Sequence, residues 1–479
     1  MPGVSITTTT SSGPVAPAPI VSGQAFFAGI TEKGTISVAT KVRGYNEFVD
    51  AYGEVVADSY LANTVRAFFS EGGAQAYIAR VVGPDAVAAT YTVVDRAGSP
   101  VDTITFTAVG PGSYGNDIDI TVANGSGSNV TVSVVIDSVT VESVTSTTVA
   151  GLVAGFASSS YIVATNEASA TAAPNNMPAT GTYSLASGDA DTANITTTEY
   201  EDALALFIPE LGDGFVSIPG VGDSVHSSII DHCEANHRTG CLTLDSTATK
   251  SELISAADAL NSQYAGLFGP WVTATIDNAT VTLPPDGYVA AVRNRAHDSV
   301  GPWRAPAGQI AIARFITGIT QDWGRTDSDA LYEAKVNIIR NISSTLRLYG
   351  WRSLSDDTTN YSLLSSQDVL NYLNTAFDRN LEQYVFQPID GKGQLLATIN
   401  GTLVGILEPI AQANGLYPLI DDAGNQLDPG YSVNTGSTIN TLITLSANEV
   451  HAQVGVRLAP TAALIEVTLI KVGLIEGLV

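Results

Sequence analysis

The stretch LPPDGYVAAVRNRAHDSVGPWRAPAG, residues 283–308, decides how the rest of the chain is read. Pro284-Pro285 fixes two φ angles and removes two backbone donors, so the chain must turn there. Asp286-Gly287 extends the turn, and residues 288–292 then read either as a helix start or as a buried extended run. Pro302-Trp303 and Ala305-Pro306 make a second rigid corner with a large aromatic held between prolines. Upstream, Pro270-Trp271 opens a strand. A segment bent and stiffened at both ends in this way is a scaffold, with little in it that could do chemistry.

Composition narrows the classes. The chain has 479 residues, enough for several domains and a substantial core. It carries 47 acidic against 21 basic side chains, a formal charge of −26. Neutralising phosphates needs clustered Lys and Arg, so nucleic acid is not expected as a partner. The excess charge suits an abundant protein kept soluble by self-repulsion. Two cysteines, Cys233 and Cys241, cannot form a disulfide framework in a chain this long. No basic segment followed by an apolar run opens the sequence, and no stretch of about 18 uncharged apolar residues occurs, so neither secretion nor membrane insertion is expected.

Residues 1–22 read as an extended arm. Val4, Ile6 and Thr8 alternate with Ser5 and Thr7 as in one short strand, and Pro14, Pro17 and Pro19 follow in a polar tether. Residues 24–82 read as a strand, two helices and a strand. Tyr45, Phe48, Val49 and Tyr52 recur at helical spacing before Gly53. Ser59 is placed to cap a second helix carrying Leu61, Val65, Phe68 and Phe69, which Gly72-Gly73 stops. Between Arg80 and Arg238 the only Lys or Arg is Arg96, while Thr, Ser, Val and Ala dominate. That shift marks an inserted β-rich domain over 86–185. The glycines of 110–117 lack the Lys and the helix of a phosphate loop and read as a turn before a strand at 118–122.

Residues 23–85 and 186–340 form the expected discontinuous core, with alternating helices and strands that argue for a parallel or mixed sheet under helical cover. Residues 341–479 read as a C-terminal domain. It holds a long amphipathic helix with Val369, Leu370, Leu373, Phe377 and Leu381 on one face. Near its end Ile465, Val467 and Leu469 alternate over Glu466 and Thr468 as a strand. The fold class expected is mixed α/β, in several domains.

Candidate chemical sites are weak. His232, Cys233, His237 and Cys241 fall within ten residues, but the spacing places Cys233 and His237 on one helix leading straight into the strand of Cys241, unlike a zinc site. Asp231-His232 has no nucleophile elbow to serve, since no G-x-S-x-G occurs. Asp356-Asp357 and Asp421-Asp422 read as solvated turns. No catalytic residue, metal or cofactor is therefore expected.

Several motifs in order resemble those of contractile-tail sheath proteins. They are FFAGITEKGT, then YGE, SYLANTVRAFFSEGGAQAYIARV, the G-P-G-S-Y-G-N-D element with Tyr114 where Trp is usual, and Leu185–Asp189 with one glycine of LxGGxDG missing. LPPDGYVAAV, GPWRAPAG, RLYGWRSLS and YVFQP complete the series. The resemblance leaves only the insertion unmatched. It implies a non-enzymatic subunit that polymerises helically around an inner tail tube, contracts to drive the tube through a cell envelope, and meets baseplate and tail terminator proteins. It would be assembled in a host cytoplasm and found in the virion. It also implies strand exchange between copies through Val4, Ile6 and Thr8 and through Ile465, Val467 and Leu469, with Arg379 and Lys392 as candidates for tube contact. A bacterial phage-tail-like injection system fits the same features. A surface-layer protein or adhesin would call for a signal peptide, and an α/β hydrolase for a nucleophile motif.

Overall fold

The computed structural model describes residues 22–57 and 59–463. Two compact units divide them, one of residues 22–299 and 306–372, the other of 300–305 and 373–463.

The first unit is built on an eight-stranded mixed sheet. Its order is Thr345–Leu348, Val336–Ile342, Ala265–Gly269, Thr239–Thr243, Phe215–Ser217, Ala25–Ile30, Ala76–Val81 and Thr40–Val42. The six inner strands run parallel and the two edge strands antiparallel. Inner strands covered on both faces can be apolar throughout, and Phe26, Phe27 and Ala28 are all buried. Phe26 and Ala28 face a core shared with Leu204, Ile229, Cys233, Leu253 and Leu331, from four helices on one side of the sheet. Phe27 faces the other side, where its ring meets Phe68 edge-on at 5.5 Å. That side is covered by the Leu61–Ser70 helix and the Asp286–Ser299 helix.

The Asp286–Ser299 helix resolves the ambiguity at 288–292 in favour of a helix. Pro285 precedes its first residue, where a missing N–H costs nothing, and its carbonyl accepts from Val289 N at 2.9 Å. Tyr288, Val289, Ala290, Ala291 and Val292 are all buried, so the segment shows no polar face to betray its period. Ser59 stands one place before the N-cap, which is Tyr60. Its hydroxyl still accepts from Leu61 N at 3.2 Å and donates to Ile30 O at 2.7 Å.

Within this unit Thr90–Ser184 forms two further sheets. One has the order Gly181–Ser184, Ile118–Asn124, Val130–Ile136, Val139–Ser146, and the other Thr90–Val94, Asp102–Ala108, Ile162–Asn166, all antiparallel. Alternation places Ile118, Ile120, Val122, Val130, Val132 and Val134 in a core with Ile104, Phe106 and Leu152. The opposite face of the first sheet carries a row of hydroxyls, Thr182, Thr121, Ser133 and Ser143, side by side across four strands. The strands Val336–Ile342 and Thr345–Leu348 continue the main sheet across residue 341, and this unit extends to Tyr372.

In the second unit the Gln394–Gln412 helix sets Leu395, Ile399 and Leu403 against Phe377, Leu381, Tyr384, Val433 and Val454. By length and composition it could cross a membrane, which corrects the expectation that no segment reaches that limit. Its apolar residues pack on the unit's own strands, as the core helix of a globular unit does. The Leu364–Leu381 helix is the one expected from its apolar face.

Candidate assembly surfaces

The residues singled out for metal and acid–base chemistry are occupied otherwise. His232 Nε2 lies 2.9 Å from Arg238 Nη1, and burial, reinforced by that guanidinium, lowers the imidazole to about 4. Arg238 is fully buried and also donates to Gly212 O at 2.9 Å, Ile208 O at 2.7 Å and Phe207 O, closing the turn that follows the Thr197–Ala205 helix. Burial pushes the Cys233 thiol up to about 12 and the Cys241 thiol well above its ordinary value, so both are held as thiols. Among the described residues no group of three or more His, Cys, Asp or Glu could hold a metal ion. Asp356 pairs with Lys335 at 2.5 Å. Asp357 and Asp421 accept from backbone and side-chain amides of their own turns.

Three buried polar centres that the sequence reading passed over organise the motif segments. The first is Glu71, in the SEGG turn. Its fully buried carboxylate accepts from Arg314 N at 2.9 Å, Phe315 N at 2.8 Å and Ile316 N at 3.0 Å. This ties the end of the Leu61–Ser70 helix to the strand that follows the APAG corner. The second is Asp286, whose carboxyl accepts from the Ser217 hydroxyl and is raised by burial to about 6. The third is Asp368, wholly buried beside Arg293, with Nη2 at 2.7 Å and Nε at 3.0 Å. Trp351 Nε1 donates to it at 3.1 Å and Thr239 Oγ1 at 3.0 Å. Burial alone would raise the Asp368 carboxyl, but Arg293 and then His297 outweigh it and hold it well below the usual carboxylate range. A charge inside an apolar run, such as Arg293 after Val289-Ala290-Ala291-Val292, was the available signal: a buried charge needs a partner.

Surface features concentrate in the second unit. Tyr431–Asn434 and Gln453–Val456 form a two-stranded antiparallel sheet, with no third strand among the described residues. A two-stranded ribbon is marginal alone and presents unpaired edge groups. Phe386, in the YVFQP motif, is 100% exposed and sits at φ +63°, where a bulky side chain is strained. Leu442 and Ile443 are 87% and 80% exposed. Arg379 lies in the last turn of the Leu364–Leu381 helix. Lys392 is exposed in the turn that Asp390 closes by accepting from Lys392 N, Gln394 N and Leu395 N. The strand residues Val4, Ile6, Thr8, Ile465, Val467 and Leu469 lie outside the described residues.

No protein-family model and no curated protein sequence matches the chain. Solved structures do. A sheath complex in the contracted state from the extracellular contractile injection system PVC matches with TM-score 0.60 at 15% identity, over 98% of this chain and 97% of that one. The helical sheath of the anti-feeding prophage, also contracted, matches with TM-score 0.59 at 14% identity, over 98% and 99%. A sheath tail protein from Listeria innocua matches with TM-score 0.63 at 13% identity, over 88% and 90%. Over nearly its whole length, the chain has the fold of the sheath proteins of contractile injection systems and phage-like tails.

Proposed function

We propose that the chain is the subunit of a contractile sheath, a structural protein that polymerises helically around an inner tube. The observation that carries this reading is the fold likeness over nearly the whole of both chains in a comparison with an assembled sheath. Copies of a chain carrying −26 repel one another, so assembly must rest on main-chain pairing and uncharged contacts. The open two-stranded sheet offers the first, and Phe386, Leu442 and Ile443 the second. Strands at 4–8 and 465–471 of neighbouring copies would complete that sheet by edge addition. Such linkages hold copies together without fixing the angle between their bodies. Heterologous contacts of this kind generate open helices.

In this reading the extended lattice repacks into a shorter, wider one with better contacts, and the difference drives the tube through a target envelope. Arg379 and Lys392 would face an acidic tube surface. Baseplate and terminator proteins would hold the two ends. Both a phage virion and a bacterial injection system fit, and the tail of a virion assembled in the host cytoplasm is the reading preferred here. Negative-stain electron microscopy of the purified chain tests the proposal. Hollow sleeves are expected, and they should be lost on deleting residues 1–12 or 464–479. Uniform small particles at high protein concentration would overturn it.

A further inference from the structure

The first described residues are gripped by side chains in addition to the sheet's own ladder. Ser22 O accepts from Arg293 Nη1 at 2.8 Å, and Ser22 Oγ lies 3.2 Å from His297 Nδ1. Gly23 is pressed so closely on the Asp286–Ser299 helix that a Cβ there would collide with the Asn294 side-chain amide. The Gln24 amide donates to Leu211 O at 2.5 Å and Asp213 O at 2.8 Å, and accepts from Gln75 Nε2 at 2.9 Å. Only then does the Ala25–Ile30 strand begin.

Behind this grip stands the ion pair. The Arg293 and Asp368 side chains are 1% and 0% exposed. An ion pair so placed contributes little net stability, because desolvation offsets the attraction and apolar packing does as well or better. The guanidinium fork gives it a different use. Nε and Nη2 are spent on Asp368, which fixes the plane of the fork, and Nη1 is left aimed at the backbone of Ser22. His297 completes the socket, its Nε2 3.7 Å from Asp368 Oδ2 and its Nδ1 on the Ser22 hydroxyl.

We propose that Arg293, Asp368 and His297 form a mechanical anchor for the chain N-terminal to Ser22. Chain ends and the first residues of strands ordinarily fray. Here a pull on residues 1–21 meets Ser22 first and passes through Arg293 into a buried helix and, through Asp368, Thr239 and Trp351, into the middle of the main sheet. The Ala25–Ile30 strand is thereby spared from being peeled off from its end. That the pull arises from neighbouring copies in a sleeve rests on the function proposed above, whereas the anchor is a property of a single chain.

Optical-trap stretching of monomers tests it, with handles on residue 2 and on a cysteine introduced at the exposed Ser299. The variants are Arg293→Lys, which keeps a cation beside Asp368 but loses the second arm of the fork, and the double replacement Arg293→Met with Asp368→Leu, which leaves no unpaired buried charge. In the native chain the first yield should be the main rupture. In the double variant a short early release, corresponding to the residues before Ala25, should appear at lower force. Amides of residues 24–27 should exchange about tenfold faster or more, while those of 265–269 are unchanged. If the double variant does not fold, Arg293→Lys carries the comparison, since it keeps a cation beside Asp368 and gives up the fork arm that reaches Ser22 O. An unchanged first yield and unchanged exchange at 24–27 in folded variants would overturn the anchor. Sleeve formation by the 1–12 deletion is scored separately, so failure of the arm-exchange reading leaves the stretching result standing.

Discussion

Arg293 and Asp368 are 75 residues apart in sequence and 2.7 Å apart in the fold, each almost wholly withdrawn from water. The pair joins the Asp286–Ser299 helix to the Leu364–Leu381 helix at the level of the main sheet, where Thr239 and Trp351 share the same carboxylate. Ser22 O takes the remaining arm of the guanidinium at 2.8 Å, so both charged groups are hydrogen-bonded, which is what makes the charges tolerable there.

Removing one partner should therefore cost far more than removing both. Arg293→Met or Asp368→Leu alone is expected to destabilise the chain by about 3–5 kcal/mol, because each leaves a buried charge unpaired. The double replacement should cost much less than the sum of the two. Urea unfolding of the three variants, with the coupling read from the double-mutant cycle, checks this.

Asp286 imposes a pH dependence of definite sign. Burial raises its folded-state value to about 6 from an ordinary 3.8, so the folded chain holds a proton that the unfolded chain has released. Its contribution is full below about pH 4 and is lost as pH rises through 6, a change of about 3 kcal/mol. His226, His232 and His297 act in the opposite sense, since burial lowers all three. The measurement is thus the difference in Tm between the native chain and Asp286→Asn from pH 4 to 8. The variant should gain relative to the native chain as pH rises.

Glu71→Ala should cost about 3 kcal/mol, because three backbone amides lose their acceptor inside the protein. Glu71→Gln retains an acceptor oxygen and should cost less. Proteolysis within 314–319 should accelerate in the alanine variant, a result that general destabilisation would spread over the whole chain.

Phe386→Gly should leave the monomer as stable or more stable, by about 1 kcal/mol, since glycine adopts φ +63° without strain and no buried contact is lost. The same replacement should slow or abolish sleeve formation. Unfolding and turbidity measured on one preparation separate the two effects, and a destabilised monomer would show that Phe386 serves the chain itself.

Much of the fold was legible because local chemistry and tertiary structure agreed. The Tyr45–Tyr52 helix shows its period openly, with Phe48 and Tyr52 buried and Glu47 and Asp50 out. Val130–Ile136 alternates cleanly because one face meets a core and the other meets water. The Asp286–Ser299 helix was undecidable for the opposite reason: buried on nearly every side, it has no polar stripe from which to count. Short edge strands such as Thr40–Val42 carry too few residues for a period at all.

The sequence by itself determined the mixed α/β plan and the resemblance to sheath proteins. These follow from periodicity, turn chemistry and short motifs, which act over a few residues. Only the tertiary structure decided what the charged residues inside those motifs are for. Glu71 finds its amides 243 to 245 residues away, and Arg293 reaches back 271 residues to Ser22. A buried charge announces that it must be paired, but the partner is chosen by the packing of helices on a sheet, and no local pattern encodes that distance.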